Sequence, residues 1–180
     1  MSKDILIVVD CKAERVKMYA ADESIVVSSQ GGDELFINVA VGEQLRWSAV
    51  PLQFSEGIEG EGEWNVILSK VQLWGAGGAQ GEADLYLQDW AINNGGSHRP
   101  SYEDQGPISF ETSGNNKVSN EFSITSLGTN RPFVECTTAL TNRDEEKSPK
   151  VAYTFWCQIF KNKEKVGEFS WDPFVTVFRP

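Results

Sequence analysis

The chain has 180 residues and a formal net charge of −10, with 40% hydrophobic and 11% aromatic residues. This length and composition are typical of one globular domain and exclude a disordered chain. The segment from Met18 to His98 holds twelve acids and two bases, which accounts for the whole net charge. Because nucleic-acid backbones are bound through clustered Lys and Arg, this balance argues against a nucleic-acid partner.

Short alternating or apolar runs, separated by Gly, Asn and Pro, predict a succession of β-strands. In chain order they are Ile5–Val9, Ser24–Ser29, Glu34–Val41, Gln44–Phe54, Trp64–Trp74, Leu85–Trp90, Asn120–Thr125, Phe133–Leu140, Val151–Lys161, Gly167–Trp171 and Val175–Phe178. Helical patterning is weak, and its best candidate is Lys12–Ala20. We therefore predict an all-β protein, an antiparallel β-sandwich of jelly-roll type with roughly ten strands, in a single domain over residues 1–180.

The tryptophans and one long strand indicate where the core lies. Val151–Lys161 is apolar on both faces, which predicts a central strand. Three tryptophans in strongly apolar contexts are expected in the core: Trp47, Trp156 and Trp171. Three others lie at strand ends, where they either close the sandwich or line a binding surface: Trp64, Trp74 and Trp90.

The N-terminus and the cysteines predict a cytoplasmic protein. The first apolar run has five residues and ends at Asp10, which is too short for a signal peptide. No run approaches the 18 apolar residues of a membrane span. The three cysteines, Cys11, Cys136 and Cys157, form no C-x-x-C pair and are odd in number. A disulfide framework and a zinc site are therefore both disfavoured.

The loop after Leu85–Trp90 is the leading candidate for a ligand site. It combines carboxylate and amide oxygens, which calcium prefers, with an aromatic ring and planar amides of the kind that bind sugars. The candidate ligand-binding residues are Asp89, Trp90, Asn93, Asn94, His98 and Asp104, and the candidate calcium ligands among them are Asp89, Asn93, Asn94 and Asp104. The alternative is a solvated loop, because Asn and Gly are ordinary turn residues. The acidic loop Glu56–Glu63 is a second cation candidate.

Signals for catalysis are weak. His98 is the only histidine, and Gly96-Ser97-His98 lacks the last glycine of a nucleophile elbow. The glycine-rich Gly75–Gly81 is followed by a predicted strand, whereas a dinucleotide site requires a helix there. We therefore expect a protein that is not an enzyme, and a hydrolase that uses Asp89, His98 and Asp104 is a distant alternative.

Three segments resemble the AidA/PixA family of bacterial inclusion-body proteins. The first segment is Asp4–Asp10. The second is Gly32–Val50, which contains Val-Gly-Glu and Leu-Arg-Trp and continues into Val66–Trp74. The third is Tyr153–Phe160 followed by Gly167–Val177. The closing Trp171-Asp172-Pro173-Phe174 is the most specific piece. The segment between Asp10 and Gly32 is shorter than is usual in the family, so ligand groups from that region could be missing here.

The resemblance implies a small bacterial β protein that accumulates in cytoplasmic inclusions, and it supplies no catalytic residues. We interpret Trp171-Asp172-Pro173 as structural, with Asp172 in a turn before the proline and Trp171 as an anchor. The function we expect is binding or self-association as a homo-oligomer. A sharper form adds calcium-dependent carbohydrate binding, and the alternative is a storage or protein-interaction protein with no small ligand.

Overall fold

The computed structural model describes residues 2–53, 62, 64–74, 86–93, 97–98, 108–109, 133–140, 149–162 and 164–180. Within these ranges the strands are β1 (Ser2–Asp10), β2 (Arg15–Ala20), β3 (Val26–Ser28), β4 (Phe36–Ala40), β5 (Gln44–Pro51), β6 (Trp64–Trp74), β7 (Leu87–Asn93), β8 (Ser97–His98), β9 (Ile108–Ser109), β10 (Phe133–Thr138), β11 (Lys150–Lys161), β12 (Glu164–Trp171) and β13 (Phe174–Phe178). A 3-10 helix covers Glu23–Ile25. No helix in the described ranges is long and apolar enough to cross a membrane. The predicted strand Asn120–Thr125 lies outside them.

The strands form two sheets, which confirms the all-β sandwich. Sheet A has the order β2-β1-β5-β10-β7-β8, and sheet B has the order β3-β4-β13-β11-β6-β9, with β12 also paired to β11. Both sheets are mixed, because β1 runs parallel to β5 and β4 runs parallel to β13. The expectation of purely antiparallel pairing was wrong at these two places. Parallel neighbours are joined by long connections, so local alternation carries no signal of them.

The strand β11 is central, as predicted. It pairs with β6 on one side and with β12 and β13 on the other. Tyr153, Phe155 and Cys157 point into the core with no measurable exposure. Trp156 is half-buried and lies with Thr154 on the opposite face of the strand, so its assignment to the core was wrong. Apolar context does not distinguish the two faces of a central strand, because both are largely covered.

Four aromatic rings from both sheets meet at the centre of the core. Trp47 of β5 stacks on Trp90 of β7 with ring centroids 5.3 Å apart. Edge-to-face contacts link Trp47 to Tyr153 at 5.6 Å and to Phe155 at 5.4 Å. The Nε1–H group of Trp47 donates to the Tyr153 hydroxyl at 3.3 Å. Because a buried indole N–H needs an acceptor, this bond fixes how the two sheets face each other.

The weak helical candidate Lys12–Ala20 is not a helix, because the segment is a turn followed by β2. Backbone N–H groups of Lys12 and Ala13 donate to the Asp10 carboxylate, both at 3.1 Å, which closes a tight turn. Along β2, exposed and buried residues then alternate strictly. Val16 and Met18 enter the core, so burial of this face outweighs the modest helix propensity of the segment.

The C-terminal part of the chain is one long hairpin with a break at Asp172-Pro173. Both β12 and β13 run antiparallel to β11, and β12 carries a register shift near Val166. At the break, the Thr154 hydroxyl donates to the Asp172 carboxylate, and Trp171 is 8% exposed in the core. The interpretation of Trp171-Asp172-Pro173 as a turn with an anchor is therefore confirmed.

A buried threonine of β10 is hydrogen-bonded to the corner between β4 and β5. Gly42 has φ 82°, a conformation that favours glycine. Thr138, at 1% exposure, accepts a hydrogen bond from the Glu43 N–H at 3.0 Å and donates to the Ala40 carbonyl at 2.7 Å through the same hydroxyl. Its backbone adds two further bonds to the corner. The hydroxyl thus joins the strand that leaves sheet B to the strand that enters sheet A.

Replacement of Thr138 by Val, which has nearly the same shape, should lower the free energy of unfolding by about 1–2 kcal/mol. The cause is the loss of both hydroxyl hydrogen bonds at a buried position. Urea denaturation measures the effect, and Thr137→Val, the same change at a half-buried neighbour, is the control. Equal stability of the two variants would show that the hydroxyl does not hold the corner.

Candidate functional site

The structure describes part of the predicted ligand loop. Asp89 and Trp90 lie in β7, and β7 continues into a hairpin with β8 in which Ile92 pairs with His98 and Asn93 with Ser97. The backbone of Asn93 and His98 is therefore brought to one end of sheet A. Asn94 and Asp104 lie outside the described residues, as do the acidic and glycine-rich loops apart from Gly62.

Asp89 occupies a β-bulge, which the alternation of the sequence did not reveal. Gln88 pairs with Thr137 and Ala91 pairs with Glu135, so Asp89 and Trp90 together oppose the single residue Cys136. Asp89 has φ 55°, a left-handed conformation that Asp tolerates better than most residues. The extra residue leaves the Asp89 side chain exposed and turns Trp90 inward.

Trp90 lies in the core and does not offer a free ring to a sugar. It is 2% exposed, stacks on Trp47, and donates from Nε1 to the Leu87 carbonyl at 3.1 Å. The sequence predicts Trp90 at the end of a strand, and regular alternation would put it on the face opposite Leu87. The bulge reverses this placement, since it shifts the alternation by one residue. Asp89 is then the one predicted ligand whose described side chain reaches solvent.

We expect the left-handed backbone to dictate which residues position 89 accepts. Asp89→Gly should keep the stability of the protein or raise it slightly, and Asp89→Val should be about 1–2 kcal/mol less stable than the glycine variant because a β-branched residue fits this conformation poorly. Thermal unfolding provides the measurement. At the neighbouring Gln88, which lies in regular strand, the order should reverse, with valine better than glycine.

A valine variant at position 89 as stable as the glycine variant would contradict the bulge. A loss of stability in both variants would show that the carboxylate itself supports the fold.

The three cysteines are placed where nucleophilic chemistry is disfavoured. Burial raises the pKa of Cys11 to about 12 and raises the pKa of Cys136 and of Cys157 well above the usual value of a thiol. The negative charges of Glu135 and Asp89 add to the effect on the Cys136 pKa. Because the thiolate is the nucleophile, these thiols are inert at neutral pH. Cys136 and Cys157 both lie in the core.

Within the described residues, no group of three or more His, Cys, Asp and Glu side chains could hold a metal ion. Some of these acids are instead paired with basic side chains. Asp22, which caps the 3-10 helix, is bonded to Lys3 of β1 at 2.7 Å, and this bond is the main cause of the lowering of the Asp22 pKa to about 2. Glu135 of β10 contacts Arg46 of β5 at 3.2 Å.

The outer edges of β2 and β12 differ in whether their backbone groups are bonded. The alternation of apolar and polar residues in the sequence does not predict this difference. The outer edge of β2 is bonded to the segment Gln30–Gly32. The outer edge of β12 has no strand partner among the described residues, since β12 pairs only with β11. Which strand lies at an edge depends on long-range topology, and composition alone does not contain it.

The comparisons bear on the architecture. No family model and no curated protein match the sequence. The structure is similar to the crystal structure of an inclusion body protein (PixA) from Burkholderia cenocepacia J2315, with a TM-score of 0.57 and 11% sequence identity, over 99% of this chain and 96% of that chain. This chain shares the fold of that inclusion body protein. At 11% identity, this similarity shows a shared fold and does not show a shared function.

Proposed function

We propose that this chain is a non-enzymatic protein of the AidA/PixA inclusion-body type, which acts by self-association and accumulates in the cytoplasm. The observation that carries the proposal is the match of the fold along nearly the whole length of both chains. The path of the backbone thus agrees with the resemblance that three segments of the sequence carry.

The residues that carry the resemblance have architectural roles. Val41-Gly42-Glu43 makes the corner between the sheets, and Trp47 lies at the centre of the core. Trp171 and Asp172 make the break in the C-terminal hairpin. None of these positions forms a cleft with an exposed nucleophile or acid–base pair. This distribution favours a function carried by the whole protein surface over one carried by a small reaction site.

Self-association is tested with the wild-type chain by sedimentation velocity over a wide range of protein concentration. We expect the weight-average sedimentation coefficient to rise with concentration as a reversible oligomer forms. A monomer at every concentration, up to the limit of solubility, would overturn the proposed function. The measurement needs no ligand, so it is independent of any cation.

The calcium-dependent, carbohydrate-binding form of the function is tested separately. Its support among the described side chains is Asp89 alone, because the ring of Trp90 is in the core. A single exposed carboxylate binds calcium poorly, since calcium takes six to eight oxygens. We therefore expect the midpoint of thermal unfolding to be the same in calcium and in chelator. A rise in calcium that disappears in Asp89→Asn would instead assign a cation to this loop.

A further inference from the structure

The two long edges on one side of the sandwich differ in how their backbone groups are used. At β2, the Met18 N–H donates to the Gly32 carbonyl and the Gly31 N–H donates to the Met18 carbonyl, both at 2.8 Å. The Gln30 side-chain amide exchanges two further bonds with the backbone of Ala20, at 3.0 and 3.1 Å. These four bonds cover the edge that β2 would otherwise present, so another strand cannot pair there.

In the part of the chain that the structure describes, no strand pairs with the outer edge of β12. Along the C-terminal half of the hairpin, β4 pairs with β13 and covers it. The chain before β4 then leaves sheet B, because Gly31 and Gly32 are bonded to β2 in sheet A. No described residue therefore continues β4 alongside Glu164–Trp171. The open edge is eight residues long, which corresponds to about 26 Å of strand at 3.3 Å per residue.

The side chains of this edge suit pairing with an identical strand. Val166 is 55% exposed, the most exposed large apolar side chain in the described residues. It lies with Gly167 at the middle of the strand, and the pair is flanked by a base at Lys165 and an acid at Glu168. The charges are thus opposite and equally distant from the centre between Val166 and Gly167.

We propose that β12 pairs with β12 of a second copy of this chain, antiparallel and about a two-fold axis, so that sheet B continues from one copy into the other. The proposal rests on the proposed self-association and names its surface. Because the register shift at Val166 inserts one extra residue, Lys165 and Glu168 lie on the same face of the strand, opposite Phe160 and Gln158. With the axis between Val166 and Gly167, each Lys165 faces Glu168 of the partner subunit, and the two ion pairs are related by symmetry. The two exposed Val166 side chains lie beside the axis and lose solvent contact.

A second copy fits this edge better than an unrelated strand does. The arrangement of Lys165 and Glu168 about the centre is self-complementary, whereas a foreign strand would need the same charges in mirrored order. Within one copy, Glu168 contacts Lys165 and also Lys70, at 3.7 Å to the latter. The hydrogen bond from Lys165, with the charge of Lys70, lowers the pKa of the Glu168 carboxyl, which is therefore ionised before the second copy arrives.

The test uses two charge-reversal variants. Two copies of the same variant should repel each other, whereas one copy of each variant should attract. In Lys165→Glu the facing positions are both acidic, and in Glu168→Lys they are both basic. Each variant alone should associate at least about tenfold more weakly than the wild type in sedimentation velocity, because like charges lie directly opposite each other. An equimolar mixture restores both ion pairs and should form a one-to-one complex. Lys17→Glu, an equal change on the exposed face of β2, is the control and should associate as the wild type does.

Each outcome decides between the proposals. A wild type that associates while both variants associate equally well leaves the proposed function intact and overturns the pairing of β12. A wild type that stays monomeric overturns the proposed function together with this inference. A mixture that fails to associate, although circular dichroism shows both variants folded, overturns the two-fold pairing. If Glu168→Lys does not fold, Lys165→Glu alone must weaken association relative to Lys17→Glu, and unchanged association contradicts the proposal.

Discussion

Trp47 lies between the two sheets, with its ring stacked on Trp90 of the same sheet and set edge-on to Tyr153 and Phe155 of the other. Each such aromatic contact is worth about 0.5–1.5 kcal/mol beyond the burial of area. The geometry is further restricted by the hydrogen bond from its indole N–H to the Tyr153 hydroxyl. Burial raises the pKa of this hydroxyl, which therefore stays neutral and available as an acceptor.

Two local irregularities, the bulge at Asp89 and the corner at Gly42, bring the rings into this arrangement. Trp90 reaches Trp47 because the bulge at Asp89 turns it inward, and the left-handed backbone there explains why a short polar residue stands at the bulge. The corner at Gly42 carries the chain from sheet B into β5, which presents Trp47 to the core. Loss of the bulge or of the corner would displace rings that have no other place to pack.

The sequence predicts much of this fold and little of the candidate site. Alternation located most strands to within a few residues, and β6 to the residue, because a half-buried strand must alternate. Predictions failed where long-range contacts determine the structure. The sequence did not predict the parallel neighbours of β1 and β4, the outward orientation of Trp156, or the strand at Arg15–Ala20. At Asp89 one inserted residue exchanged the inner and outer faces. The open edge of β12 has no local signature at all.

This contrast between edges connects the fold to the proposed function. On the side of the sandwich where β2 and β12 lie, Gln30–Gly32 is bonded to the outer edge of β2, whereas β12 has no strand partner other than β11 among the described residues. The proposed two-fold pair uses this edge of β12.

Hydrogen exchange of the wild-type chain in dilute and concentrated solution tests the central claim most directly. Edge amides exchange quickly until they are paired. We predict that the amides of Glu164–Trp171 that point away from β11 become protected as concentration rises, while the amides of Met18 and Ala20, already bonded in the single copy, do not change. Protection that appears elsewhere while the outward-pointing amides of β12 continue to exchange freely would contradict the account.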